Sequence, residues 1–283
     1  MNILLREVKI LDPSSSHHNK VFNVHVKDGK IASIDKVEHR AEKVIEAKGY
    51  ILTPGWFDMR VNFNDPGLEH KEDLISGCKL ASASGFTGVA TLPNTIPVIQ
   101  DKSKIEYLKS RSEQALTDVH PYGAVTLDTK GEDLTEMIDL HHAGAIGFTD
   151  GEKTLWHTDI FLKSLIYLQQ IDGLLLNVPE DRMLTRFCSM NEGIMSTSLG
   201  LKGMPAISEH IAIKRDLDLL QYAGGKLHFS NISSKESVKL IKKAKSSGLN
   251  VTCDVSIHHL VHNEEDLATY DSCLLYTSDA ADD

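Results

Sequence analysis

The sequence has no excess of positive charge, since 30 Lys and Arg stand against 40 Asp and Glu, a formal net charge of −10. That balance excludes a polybasic nucleic-acid-binding surface. No apolar run approaches the roughly 18 residues that a membrane span needs, and charges at Arg6, Glu7 and Lys9 interrupt what would have to be a signal-peptide core. We therefore expect a soluble cytoplasmic protein that binds neither nucleic acid nor a membrane.

Cysteine is scarce as well. The chain has four, at Cys78, Cys188, Cys253 and Cys273. Because they lie far apart with no CxxC pair, they fit neither a disulfide framework nor a zinc knuckle, and we expect them to be reduced and mostly buried. With 41% hydrophobic and 25% charged residues, the composition is that of a globular chain with a real core.

Residues 1–52 have the pattern of short β-strands separated by turns. Strand-like runs cover residues 3–10, 22–27, 30–37 and 43–46. The alternating segment VHVKDGKIASI contains Asp28-Gly29, a dipeptide typical of two-residue hairpins because both central residues take positive φ. We interpret this region as a small β-sandwich domain.

From Thr53 onward, apolar strand-like runs alternate with amphipathic helical stretches. The runs cover residues 57–63, 86–94, 119–127, 144–150, 173–180, 226–233 and 249–257. Several helical stretches end at a glycine, as expected for a left-handed residue after a helix. These glycines are Gly85, Gly144, Gly224 and Gly248. Repeated βα units predict a parallel sheet, and no GxGxxG follows the first run to indicate dinucleotide binding.

The predicted fold is α/β, a (β/α)8 TIM-like barrel that is incomplete, with about seven strands, joined to the small N-terminal β-sandwich portion. The predicted domains are residues 1–52, a barrel at 53–271 and a tail at 272–283. The tail breaks the βα periodicity, and CLLYTSDAADD resembles a translated adapter sequence. We interpret the tail as non-native and the barrel as truncated at its C-terminus.

A stripe of polar side chains lies along the first strand-like run of the predicted barrel. Four polar side chains share one face of FDMRVNFN because side chains alternate across a strand. They are Asp58, Arg60, Asn62 and Asn64. Catalytic residues of such barrels lie at the C-terminal ends of strands. Since burial of polar groups is costly unless they are paired, the stripe is either a mutually satisfied network or a ligand site.

The segment GWFDMRVNFNDPG resembles DxHxHxRxPG, the opening motif of the dihydroorotases, a family of cyclic amidohydrolases. Further matches follow in order: LPNT at 92–95, GFTDG at 147–151, GMPAISE at 203–209, KLHFSNISSKESVKLIKKAKSSGLNVTCDV at 226–255 and IHHL at 257–260. The resemblance extends from the N-terminal β unit through Asp271 and implies the amidohydrolase barrel. FTDG favours the dihydroorotase branch over hydantoinase-like relatives, which carry a metal-bridging lysine there.

The resemblance implies a reaction of pyrimidine biosynthesis, the hydrolysis of dihydroorotate to N-carbamoyl-aspartate, in which zinc held by histidines activates a water. The family's histidine positions are occupied here by Arg60, Asn62, Val178 and Asn231. Arginine offers only donors and a positive charge, valine has no lone pair, and amide oxygens suit calcium or magnesium better than zinc. Only Asp150 keeps a ligand-capable group, so we predict a member depleted of metal ligands and without a zinc cofactor.

The resemblance also concerns the substrate. The family's carboxylate-binding arginine aligns with Asn64, and its partnering asparagine is kept as Asn94, so half of that clamp is retained. No other histidine restores the metal site. His228, three residues before Asn231, is expected to face the opposite side of its strand.

Two functional hypotheses stay open. In the first, the chain is a non-catalytic dihydroorotase-like protein, either a structural partner of aspartate transcarbamoylase or a homo-oligomer, with a small cyclic amide or carboxylate as its ligand. In the second, it is an active cyclic-amide hydrolase with an atypical or metal-free site. There, Asp58 or Asp150 acts as the base and Arg60 stabilises the oxyanion.

Overall fold

The computed structural model describes residues 1–270 of the chain, and both the predicted tail at 272–283 and Cys273 lie outside them. The chain divides into two compact units, Met1–Trp56 and Phe57–Asp283. The division lies four residues beyond the predicted boundary at residue 52, which is where the last short strand of the N-terminal sheet ends.

The N-terminal unit is a single five-stranded sheet. Its strands are β1 (Asn2–Ile10), β2 (Val21–Lys27), β3 (Lys30–Asp35), β4 (Lys43–Glu46) and β5 (Ile51–Leu52). They lie in the order β3-β2-β1-β4, and β5 also pairs with β1. Strand β2 is antiparallel to β1 and β3, whereas β4 and β5 run parallel to β1. The predicted hairpin joins β2 to β3, with φ of 52° at Asp28 and 75° at Gly29.

Four buried side chains of this unit, Val8, Ile10, Val24 and Ala47, form one small cluster, and Leu4 is buried outside it. All residues of Met1–Trp56 are described, and they form one sheet rather than the two layers of the predicted sandwich.

The second unit contains the βα repeats. Its strands are β6 (Trp56–Val61), which begins at the boundary, β7 (Phe86–Thr91), β8 (Asp118–Pro121), β9 (Leu174–Asn177), β10 (Met190–Asn191), β11 (Gly203–Met204), β12 (Lys226–Phe229) and β13 (Val251–Cys253). One sheet has the order β6-β7-β8 and another β13-β12-β9, while β10 and β11 pair separately. The pairs β7–β8, β9–β12 and β12–β13 are parallel, as predicted. Parallel bridges from Phe148 to Gly123 and Leu175 link the two larger sheets, so the predicted strand at 144–150 is reduced to these bridges.

Helices follow most of the strands. They are α1 (Leu74–Ala83), α2 (Lys102–Ser112), α3 (Met137–Ala143), α4 (Thr158–Leu168), α5 (Arg182–Thr185), α6 (Ile194–Leu199), α7 (Ile207–Ala223), α8 (Lys235–Ser246) and α9 (Ile257–Val261), with short 3-10 turns at Leu127–Thr129, Gln169–Ile171 and Glu264–Thr269. Asp73 and Ser234 start α1 and α8 by accepting backbone N–H groups. The four glycines predicted to follow helices all have positive φ. Within residues 1–270, no helix has the length and apolar character needed to cross a membrane.

Apolar side chains cover both faces of the parallel strands. The main core, between strands and helices, includes the fully buried Phe148, Phe161 and Phe229. A second cluster comes from alternate strand positions and consists of Ala90, Leu92, Tyr122 and Leu176. Burial on both faces is typical of a parallel sheet covered by helices. It leaves the carboxyl ends of the strands as the place where polar side chains gather. Of the cysteines, Cys78 and Cys188 are buried and Cys253 is exposed.

Candidate functional site

Two polar side chains at the end of β6 bond to residues 150–152, which we call the 150–152 loop. Nη1 of Arg60 donates to the carbonyl oxygen of Gly151 at 3.1 Å, and Nδ2 of Asn62 donates to Oε1 of Glu152 at 2.9 Å. The predicted stripe therefore does lie at a strand end, with these two members directed toward the loop. Both side chains are half-buried, so these bonds satisfy groups that would otherwise be costly.

The described side-chain hydrogen bonds of the other two stripe members stay within the stripe. Oδ1 of Asp58 accepts the backbone N–H of Arg60 at 2.9 Å, and Nδ2 of Asn64 donates to the carbonyl oxygen of Asn62 at 3.3 Å. Asn64 has a φ of 58°, so the strand alternation that predicted its direction has ended before it. The stripe is thus partly self-satisfied and partly bonded to the 150–152 loop.

Asn94, which follows β7, holds the 150–152 loop through both ends of its amide. Its Nδ2 donates to the carbonyl oxygen of Asp150 at 3.1 Å, and its Oδ1 accepts the N–H of Glu152 at 3.0 Å. Gly151 lies between these two contacts with a φ of 68°, and a Cβ at this position would overlap Oδ1 of Asn94. Only glycine fits there. Its amide keeps a second N–H and a second lone pair, and its role in substrate binding stays a prediction.

Asp150 is 1% exposed and is surrounded by donors. Its Oδ1 accepts the N–H groups of Val125 at 3.0 Å and Thr126 at 2.9 Å, and its Oδ2 accepts the Thr126 hydroxyl. Burial raises the pKa of the Asp150 carboxyl to about 6, although these hydrogen bonds act to lower it. Three donors already occupy the carboxylate oxygens, and the roles of Asp150 as catalytic base or as metal ligand stay predictions.

Sequence reasoning missed a pair at the ends of β12 and β13. Nε2 of His228 lies 2.9 Å from Oδ2 of Asp254, and its Nδ1 lies 2.7 Å from Oγ1 of Thr252. Oδ1 of Asp254 accepts the N–H of Asn231 at 2.7 Å. The side chain of His228 and the backbone N–H of Asn231 therefore meet at one carboxylate, and the expectation that the two side chains face opposite sides stays a prediction. Strand β12 ends at Phe229 and Asn231 has a φ of 56°, which breaks the alternation.

The guanidinium of Arg60 lies near enough to the His228–Asp254 pair to affect the pKa of Asp254. Burial by itself raises the pKa of Asp254, but hydrogen bonds from His228 and Asn231 outweigh it and hold the pKa below its usual value, with the guanidinium of Arg60 adding to the lowering. Burial raises the pKa of Tyr122 to about 12, and the charge of Asp254 contributes. The Tyr122 hydroxyl donates to a backbone carbonyl of β6 at 3.0 Å. A guanidinium, a carboxylate and a phenol thus share the strand ends.

A buried network supports the segment that follows the 150–152 loop. Oδ1 of Asn177 accepts the N–H of Leu155 at 2.8 Å, and Nδ2 of Asn177 donates to Oδ2 of Asp216 at 2.8 Å. Arg215 donates to Oδ1 of the same carboxylate at 2.7 Å and to the Leu155 carbonyl at 2.8 Å. Burial raises the pKa of Asp216 to about 6. This network has a structural role, because its members bond to each other and to backbone.

The residues at the four zinc positions implied by the resemblance do not fit a zinc ion. Arg60 brings a positive charge and only donors, and Val178, which follows β9, has no lone pair. The Oδ1 of Asn62 is buried without a hydrogen-bond partner, and Asn231 offers a second amide oxygen, but neutral amide oxygens are poor zinc ligands. In the described part of the chain, no group of three or more His, Cys, Asp or Glu side chains is arranged to hold a metal ion.

Known proteins resemble this chain along most of its length. The family described as Dihydro-orotase-like matches residues 49–237. The dihydroorotase of Geobacter sp. (strain M21) is 37% identical over 276 residues, which are 96% of this chain and 64% of that protein. The dihydroorotase of Pelotomaculum thermopropionicum is 34% identical over 273 residues, again 96% of this chain and 64% of the relative. The chain thus spans less than two thirds of the length of these relatives.

Solved structures are similar in fold. L-Hydantoinase from Arthrobacter aurescens has a TM-score of 0.79 at 20% identity and covers 96% of this chain and 62% of its own. Dihydropyrimidinase from Brevibacillus agri NCHU1002 has a TM-score of 0.74 at 18% identity, with coverage of 96% and 60%. Their similarity shows that this chain has the α/β fold of these proteins. The chain belongs to the dihydroorotase-like family.

Proposed function

We propose that this chain is a dihydroorotase-like protein of pyrimidine biosynthesis that does not itself hydrolyse dihydroorotate and that serves as a structural partner of aspartate transcarbamoylase. One observation carries the proposal. The side chains of Arg60 and Asn62 at two implied zinc positions donate to the 150–152 loop, so they act as donors where a metal requires lone pairs.

The carboxylates that could act as a base in the absence of a metal ion support the same proposal. Asp150 accepts three donors and Asp58 accepts the N–H of Arg60, so each candidate base is already hydrogen-bonded. Hydrolysis of an unactivated amide without a metal demands a large reduction of the barrier, at least about 8 kcal/mol by the usual scale of enzymes. A carboxylate committed to structural bonds is poorly placed to contribute it.

The catalytic part of the proposal is tested on the purified protein. We expect zinc content far below one ion per chain and no ring opening of dihydroorotate above the uncatalysed rate. The metal is measured by elemental analysis and turnover by N-carbamoyl-aspartate formation, with the dihydroorotase of Geobacter sp. (strain M21) as positive control. Stoichiometric zinc, or turnover at any rate above background, contradicts the proposal.

A second candidate, a metal-free cyclic-amide hydrolase, is favoured by the proximity of Arg60 to Asp254, a carboxylate fixed by His228. The same assay separates the two. If turnover were found without metal and were abolished by Asp254→Asn and by Arg60→Met, it would establish this second candidate, with a carboxylate base and a guanidinium that stabilises the oxyanion.

The partner assignment has its own test. Co-expressed with the aspartate transcarbamoylase of the same genome, the protein is expected to co-elute with it in gel filtration at a defined ratio and to raise its melting temperature, since a partner that binds the folded state stabilises it. Separate elution of the two proteins at micromolar concentration, with unchanged melting temperatures, would exclude this partner and leave self-association to be measured.

A further inference from the structure

The 150–152 loop is held at its two ends and in its middle by side chains from neighbouring strand ends. Arg60 and Asn62 reach it from β6, and Asn94 reaches it from the end of β7 through two bonds. The four contacts lie between 2.9 and 3.1 Å, which is ordinary hydrogen-bond length. Three of them use the loop backbone, so they fix the path of the chain and not only one side chain.

The loop is anchored to a third strand end as well. The carboxylate of Asp150, its first residue, accepts the backbone N–H groups of Val125 and Thr126, which follow β8. The ends of β6, β7 and β8 are therefore joined through one three-residue loop. A metal ion coordinated by side chains of several strands would join strand ends in the same way, but here the connections are hydrogen bonds within the protein.

We propose that Arg60, Asn62 and Asn94 form a built-in clamp on the 150–152 loop, which makes the order of the strand ends independent of any divalent metal ion. This proposal depends on the proposed function in one respect, namely that the protein has no resident metal ion. Arginine suits this role because its guanidinium stays charged at all relevant pH values and offers several donors in a fixed plane. Charged donors also make stronger hydrogen bonds than neutral ones.

The clamp is tested by removing its donors while keeping side-chain size. In the full chain carrying Arg60→Met and Asn62→Leu, we expect backbone amide exchange across residues 150–153 to accelerate by about tenfold or more, since loop opening becomes easier. The melting temperature is expected to fall by about 4 °C or more. Arg182→Met is the matched control, because Arg182 stacks on Trp156 at 3.7 Å and makes no part of the clamp; its exchange at 150–153 should match the parent.

Substitutions on the loop side keep the test decisive if the double variant folds poorly. Glu152→Gln retains an acceptor for Asn62 and is expected to keep exchange close to that of the parent, whereas Glu152→Leu removes the acceptor and should accelerate it. In the parent chain, EDTA and added zinc should change neither exchange at 150–153 nor the melting temperature.

The outcomes separate this proposal from the proposed function. Unchanged exchange in the Arg60→Met and Asn62→Leu chain, or EDTA-dependent exchange in the parent, would overturn the clamp. Ring opening of dihydroorotate that is insensitive to EDTA would overturn the proposed function and leave the clamp standing.

Discussion

Replacing Asp150 with alanine is expected to lower the free energy of unfolding by about 2–5 kcal/mol, because two buried N–H donors lose their only described acceptor and each costs about 1–3 kcal/mol when left unpaired. Those donors belong to Val125 and Thr126, both 0% exposed. The Thr126 hydroxyl loses its partner in the same substitution.

The loss is measured by urea denaturation followed by circular dichroism, with Asp150→Asn and Asp218→Ala beside it. Asparagine keeps one acceptor oxygen, so Asp150→Asn should fall between the parent and Asp150→Ala. Asp218 is exposed on α7, and its replacement should stay within about 0.5 kcal/mol of the parent. An Asp150→Ala protein as stable as Asp218→Ala would show that the Asp150 carboxylate does not contribute to the free energy of unfolding.

The order of the elements could be predicted from the sequence because it depends on local patterns. The hairpin at Asp28-Gly29 and the glycines after helices were recognisable from backbone conformations that few other residues adopt. Alternating and continuous apolar runs distinguished the N-terminal sheet from the parallel strands. Strand length was harder to predict: the run at 144–150 makes only bridges through Phe148, since pairing depends on neighbours distant in sequence.

The candidate site shows where such reasoning fails. The direction of Arg60 followed from alternation along β6, but alternation along β12, which ends at Phe229, did not reveal Asp254 as the partner of His228. The signal for Asp254 was present in the register, because His228 pairs with Thr252 and Asp254 lies two residues further on the same face. Finding it required knowing which strands are neighbours.

The role of Asp150 as an acceptor for backbone N–H groups could not be predicted from the sequence. A carboxylate at a strand end is compatible with a metal ligand, a base or a structural acceptor, and the sequence does not distinguish among them. The difference lies in two backbone N–H groups from another strand end, whose positions follow from the path of the chain. Membership of the dihydroorotase-like family therefore defines the ancestry of the site, whereas the hydrogen bonds define what its residues are available to do.

Gly151→Ala is expected to lower the free energy of unfolding by about 2–5 kcal/mol, as much as the loss of the Asp150 carboxylate. Alanine at a φ of 68° costs about 1–2 kcal/mol by itself. Its Cβ would also overlap Oδ1 of Asn94, so the two hydrogen bonds between Asn94 and the loop must break, at about 0.5–1.5 kcal/mol each.

Gly200→Ala provides the control for this prediction. Gly200 has a φ of 67°, nearly identical to that of Gly151, but a Cβ there would have no neighbour within 4 Å. It reports the backbone cost alone, about 1–2 kcal/mol. The difference between the two variants in urea unfolding isolates the close approach of Asn94 to the loop. In an Asn94→Ala background, Gly151→Ala should cost no more than Gly200→Ala, because the overlapping oxygen is gone; an undiminished cost would place the constraint on Gly151 elsewhere.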